Sequence, residues 1–298
     1  MTPDIASGAG AQPAPEAWTP SEHELARRQA RRSRTARRVA VAVVSSVVVI
    51  GGLVVIVLRS SGWPVFQQTY LDVAYGREVL PAIFDGFKLD LLLAGIATVL
   101  IAGISLMLAL IRTSRAPALA PFRILATVYV DIFRGTPLLL VIFLVGFGLP
   151  ALNLPYVSGA DVAVLGTAAI VLTYSGYVAE VIRSGILSVH PSQRAAARSL
   201  GLSPSQTMRH VVLPQGIRRV VPPLLNDFVS LLKDVGLVSI LGVVEALRQA
   251  NIESAKTFNY TPYVVAAILF LIVTIPLTRF TDRVLIRSIS RQNAGGTA

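Results

Sequence analysis

The residues that could do chemistry in this chain are few, and their types exclude most chemistries. There is no cysteine, so a thiol nucleophile, a disulfide framework and an iron–sulfur cluster are ruled out. His23, His190 and His210 are too dispersed to read as a metal cluster. None of the lysines, Lys88, Lys233 and Lys256, follows a glycine, so no GxxxxGK phosphate loop exists. No GxSxG nucleophile elbow appears either. The informative residues are instead charges set inside apolar runs, where burial in lipid is costly. Asp131 and Arg134 are three apart, as are Glu180 and Arg183, so each pair can meet on one helix face. Lys233 and Asp234 are adjacent and point apart, so each needs a partner elsewhere or a water-filled cavity. Structural pairing that holds helices in register is one role for such charges. Lining a translocation path is the other, and Arg134, Thr136, Lys233 and Asp234 are its candidates.

A second constellation lies in the polar insert HPSQRAAARSLGLSPSQTMRHVVLP, His190 to Pro214, which is too polar to span a bilayer. Ser192 to Leu200 reads as a short helix of good helix formers. Gly201 stands where a left-handed residue would stop it. Ser203, Pro204 and Gln206 then form a helix-start pattern, and Pro214 is expected to interrupt the backbone ladder. Helix, glycine turn, helix, with Ala195, Ala196 and Ala197 leaving room for close approach, suits docking into a partner's groove. The plain alternative is a basic cytoplasmic loop.

The elements that must position these residues are membrane helices. The chain of 298 residues is 53% hydrophobic and only 14% charged, a membrane composition. Residues 1–38 are rich in Pro, Ala and Gly and then strongly basic, and are expected to be a disordered arm. Ser21 and Glu24 make a capping-box pattern for any helix there. Val39 to Leu58 is long enough to cross a bilayer, and no small-residue cleavage pattern follows it, so an uncleaved helix is preferred to a signal peptide. Residues 59–85 read as an external linker. Gly86–Ile111, Phe122–Leu149 (broken at Phe133–Pro137), Asp161–Ile186, Val220–Leu247 (interrupted at Lys233 and Asp234) and Pro262–Leu277 are the further apolar segments, and 288–298 is expected to be a disordered tail. Arginines crowd one side, at Arg27 to Arg38, Arg112 to Arg123, Arg183 to Arg219 and Arg279 to Arg291. Only Arg59, Arg77, Lys88, Arg248 and Lys256 fall on the other. The positive-inside rule then puts both termini and the insert in the cytoplasm. The net charge of +11 is thus accounted for by topology, not by a nucleic-acid-binding face.

The insert resembles the EAA loop of ABC importer permeases, a Glu-Ala-Ala, a glycine and a hydrophobic-Leu-Pro ending. Ala195, Ala196, Gly201, Leu213 and Pro214 match, while Arg194 stands in place of the glutamate. FRGTPLLL (Phe133 to Leu140), Tyr177 to Glu180 with Arg183 to Ile186, and Leu200 to Gln215 with Pro222 to Asn226 look like signatures of the polar-amino-acid branch. Lys233-Asp234 matches too, but Val235-Gly236 replaces the usual Thr-Ser or Thr-Ala. Glu245 to Gln249 and Thr257 to Pro262 look most like glutamate-type importers.

The resemblance covers about residues 86–287. It implies an all-α polytopic protein: a five-helix permease core at 86–287, with the coupling insert at 190–214, plus an extra N-terminal helix at 39–58. The implied role is the permease subunit of an ATP-driven amino-acid importer in the bacterial inner membrane, for acidic amino acids (glutamate or aspartate). Arg194, Ala195, Ala196, Gly201, Leu213 and Pro214 would couple it to the ATPase. Implied partners are two ATPase subunits, a second permease subunit, an extracytoplasmic solute-binding protein, membrane lipid and the amino acid. ATP and Mg would be held by the ATPase. The chain itself would be no enzyme and bind no metal. A secondary transporter and a non-transporting scaffold are the rival readings. The first would need mid-membrane coupling-ion ligands, often in repeated broken helices.

Overall fold

The structure is a computed structural model and describes residues 21–114 and 116–294, without the side chains of 26, 28–36 and 287–294. Its regular elements are all helical, as expected from the apolar runs. The chain divides into two compact units, Met1–Pro64 and Val65–Ala298.

In the first unit, α1 runs from Glu22 to Leu58. Ser21 caps it, accepting the Glu24 N–H. The basic stretch from Glu22 onward, expected as part of a disordered arm, is therefore helical from the point where the Ser21 and Glu24 pattern allowed a helix, because Ala and Arg are good helix formers and the cap is in place. The rest of the expected disordered arm, 1–20, lies outside the described residues. From Val39 to Leu58 every side chain is exposed, a surface apolar all round such as lipid would cover.

α2 (Trp63–Tyr70) begins at the boundary between the units and leads, in the second, to α3 (Val73–Thr113), capped by Asp72, which accepts the Tyr75 N–H at 3.0 Å. Here the expected external linker 59–85 is corrected. Residues from Val73 are helix continuous with the next span, and Val79 and Ile83 are buried. Pro81 and Gly86 mark no break, since α3 packs these turns against later helices. A short 3-10 turn precedes α4 (Ala120–Gly135), and α5 (Leu138–Phe143) follows at a bend of 108°. Pro137 causes it by forcing Thr136 into extended backbone. A π turn (Leu144–Gly148) and α6 (Leu149–Ala151) end this segment, and α7 (Val162–Ser188) forms the centre of the unit.

Next come α8 (Pro191–Ser199), α9 (Pro204–Thr207), a π turn (Met208–Val212), α10 (Leu213–Asp234), a 3-10 segment (Val235–Leu241), α11 (Ala246–Thr257) and α12 (Thr261–Ala294). Val220–Leu247 is interrupted as expected at Lys233 and Asp234: the α-helix stops at Asp234, and Gly242 turns the chain with φ 95° before α11. One expectation changes. The expected disordered tail is helical as far as Ala294, and 295–298 lie outside the described residues. Among the described residues, four helices are long and apolar enough to cross a membrane, or five if the bent α4–α6 segment is one span. The sixth expected crossing is missing from that set because α10 carries Arg218, Arg219, Asp227, Lys233 and Asp234.

The core lies where α3, α7 and α10 meet, around Ala97, Ile101, Ile170, Val178, Leu231 and Val235. Small residues set the spacing. A Cβ on Gly185 of α7 would sit 2.7 Å from the Gly216 carbonyl oxygen of α10, so the two backbones touch at this crossing.

Candidate coupling insert and translocation path

The insert begins at α8, whose N-cap is His190: its Nδ1 accepts the Ser192 N–H at 3.2 Å. At its other end Gly201 has φ 83°. The Leu202 N–H reaches Ala197 O at 3.2 Å and the Gly201 N–H reaches Arg198 O at 3.0 Å. These are the two bonds of a Schellman motif, which needs the left-handed residue that glycine supplies. Ser203 and Gln206 then close a reciprocal capping box, at 2.8 Å and 3.3 Å.

Beyond the capping box, the expectation that Pro214 interrupts the helix fails. The wider π turn over Met208–Val212 makes room for the proline ring, and helix continues from Pro204 into α10 without a gap. The second half of the insert is therefore the N-terminal end of α10 itself. α9 and α10 are thus one continuous helical rod, with α8 set against it by the turn at Gly201.

Ala195 and Ala196 are exposed, Ala197 is buried, and Leu200 is 83% exposed at the turn. Pro214 is exposed as well, but Leu213 packs against the core. Arg194 faces inward. Its Nη2 donates to Ile186 O at 2.6 Å, in the last turn of α7, and its Nε is buried with no acceptor. Arg219 of α10 donates to Ser188 O and Ser188 Oγ. Two arginines from opposite sides of the insert thus satisfy the free carbonyl end of α7, where positive charge is favoured. Arg219 was missed in the sequence because nothing in its spacing pairs it with residue 188.

In the apolar part, Glu180 and Arg183 do pair, at 2.5 Å, and Arg112 of α3 completes the cluster at 2.6 Å from Glu180. One carboxylate thus holds α3 to α7. Asp131 and Arg134 make no ion pair, although three apart; both side chains are exposed. The Arg134 carbonyl accepts the Tyr177 hydroxyl proton at 3.0 Å, and Thr136 Oγ1 donates to Ile132 O at 2.8 Å. Lys233 and Asp234 diverge. Asp234 Oδ2 accepts from the Tyr174 hydroxyl at 2.6 Å, toward α7. Lys233 is exposed and lines a cavity of about 210 Å³ with Leu247, Tyr263 and Phe270. A second cavity, about 280 Å³, lies between α3, α7 and α10 and is lined by Thr98, Tyr174, Asp227 and apolar side chains. Asp227 Oδ2 has no donor there among the described residues. Asp90, a carboxyl inside the second apolar run, was overlooked in the sequence even though its position alone marks it.

The pattern of matches to known proteins agrees with this geometry. Residues 102–290 match the family described as binding-protein-dependent transport system inner membrane component. The chain belongs to this family. It is 34% identical over 211 residues to the probable amino-acid ABC transporter permease PatM of Vibrio harveyi, covering 70% of this chain and 92% of PatM. It is 37% identical over 195 residues to the probable glutamine ABC transporter permease GlnM of Bacillus subtilis, covering 65% of this chain and 87% of GlnM. The arginine transport system permease ArtQ of Bacillus subtilis is 33% identical, over 70% of this chain and 93% of ArtQ. A chain in the crystal structure of an amino acid ABC transporter with histidines superposes with a TM-score of 0.65 at 30% identity, over 72% of this chain and 98% of that one. This protein is thus a permease subunit of an amino-acid ABC importer. Permeases of this family work with a solute-binding protein and an ATPase, and they are membrane subunits rather than enzymes.

Proposed function

We propose that the permease works in a complex of two permease subunits, the same or related, and two ATPase subunits. The ATPases hold ATP and Mg on the cytoplasmic side, where both termini also lie. The observation that carries this reading is the exposed α8 surface of Ala195 and Ala196, fixed by the Schellman turn at Gly201 and continuous through α9 with α10. An ATPase that grips α8 moves a helix bearing Asp227, Lys233 and Asp234. ATP drives the switch because it binds one state of the complex better than the other.

The substrate on this reading is an acidic amino acid. Lys233, exposed beside a cavity, and Arg134, exposed and without an ion-pair partner among the described residues, are cationic groups that could meet a second carboxylate. Glutamine is the second reading, favoured by the naming of GlnM as a probable glutamine permease. Competition uptake by the reconstituted complex separates them. Glutamate and aspartate should displace labelled substrate, and preference for glutamine or for a basic amino acid would overturn the acidic assignment.

A further inference from the structure

The joint between α3 and α11 holds two carboxyl groups with no exposed surface at all, Asp90 and Glu245. Their surroundings are specific. Gly86, one turn before Asp90, lies against the backbone of residues 245 and 246: a Cβ there would meet the Glu245 carbonyl carbon at 2.6 Å and the Ala246 nitrogen at 2.7 Å. The first N–H groups of α11 are divided between the two acids. Asp90 Oδ2 accepts from Ala246 at 3.2 Å. Glu245 Oε2 accepts from Leu247 at 2.7 Å, and Glu245 Oε1 from Arg248 at 2.8 Å. Among the described residues Asp90 Oδ1 has no donor.

These distances differ in kind. Both Glu245 oxygens make contacts as short as those a charged acceptor draws. The single Asp90 contact has the length of an ordinary amide-to-carbonyl bond. One negative charge at the start of α11 is favoured by the helix N-terminus. A second carboxylate alongside, out of water, is not. No cation compensates it among the described residues. Lys88 pairs with Asp85 at 2.6 Å, Arg248 bonds Asn251, Lys233 is exposed, and Tyr263 of α12 bonds Asn251.

We propose that Asp90 and Glu245 share one proton, carried on Asp90 Oδ1 and donated to the Glu245 carboxylate, and that this proton latches α11 to α3. The orphaned oxygen then becomes the hydroxyl of a neutral acid, and every polar atom at the joint has a partner. Through the 3-10 segment Val235–Leu241 the latch is joined to Lys233 and Asp234, so its loss loosens the outer end of the candidate path. Raising the pH until the proton leaves places two charges at the joint and opens it.

The test uses the full-length permease in detergent, by infrared difference spectroscopy and thermal unfolding across pH. At neutral pH the wild type should show a protonated-carboxyl C=O band that is absent in Asp90→Asn, whose amide donates to Glu245 without an ionisable proton. The wild-type unfolding midpoint should then fall on going to alkaline pH by more than that of Asp90→Asn. If Asp90→Asn does not fold, Asp90→Ser, which keeps a hydroxyl donor, serves for the same comparison. Identical carboxyl bands in wild type and variant, or equal alkaline falls, would overturn the shared proton. Neither readout depends on transport, so failure here leaves the permease reading untouched.

Discussion

Arg194 stands at the start of the exposed alanine face of α8 yet turns inward, and the structure makes of that a prediction with an order. Its guanidinium donates to Ile186 O at 2.6 Å and places a positive charge at the end of α7. A hydrogen bond involving a charged group contributes about 1.5–3 kcal/mol. The charge at a helix C-terminus adds roughly 0.3–1 kcal/mol. Against this stands the buried Nε without an acceptor, which offsets part of the gain. Arg194→Lys keeps charge and donor and removes that Nε, so it should lie within about 1 kcal/mol of wild type. Arg194→Ala should lose on the order of 1–2 kcal/mol. Arg194→Glu removes the donor and sets a carboxylate against a carbonyl, so about 3 kcal/mol is expected, or roughly a hundredfold if it all falls on the docking-competent conformation. The assay is thermal unfolding of the purified permease, followed by ATPase stimulation in the reconstituted complex. The expected order is wild type and Lys, then Ala, then Glu. Arg194→Glu matching or exceeding wild type in both would refute the inward role and return Arg194 to the docking rim.

Three other perturbations probe separate parts. Gly201→Val puts a β-branched residue at φ 83° and should cost at least about 1–2 kcal/mol, while Ala196→Trp adds bulk to the exposed face of α8. Both should reduce co-purification of the ATPase or its stimulation, while the isolated solute-binding protein keeps its affinity. Glu180→Gln leaves Arg112 and Arg183 without their carboxylate. Because these side chains are 11–31% exposed, a loss of about 1–3 kcal/mol is expected, read as a lowered unfolding midpoint. Tyr174→Phe frees Asp234 Oδ2 of its 2.6 Å bond, and uptake should slow while assembly, checked by co-purification, is kept.

Local chemistry was legible in the sequence where it depended on local spacing. The glycine turn at Gly201, the capping box of Ser203 and Gln206, the break at Pro137 and the Glu180–Arg183 pair all rest on residues within a few positions of one another. What was illegible depended on distant partners. Arg112 joins Glu180 from a different helix, Arg194 turns back eight residues to α7, and Asp234 finds Tyr174 across α7 and α10. The prolines misled for a related reason. Pro81, within the expected linker, and Pro214 lie inside helices that tertiary packing and a π turn sustain, so a local rule about helix breaking lost to the surroundings. Asp131 and Arg134 had the right spacing, yet both side chains are exposed and nothing holds them together.

The central claim is that this chain provides a path whose opening is driven by ATP through α8. The most direct measurement is uptake of radiolabelled amino acid into proteoliposomes holding the permease, its ATPase and its solute-binding protein. Uptake should require ATP and Mg on the ATPase side and the binding protein on the other, should be indifferent to imposed proton or sodium gradients, and should collapse in Ala196→Trp. Uptake by the permease alone, driven by an ion gradient and unaffected by Ala196→Trp, would contradict the account.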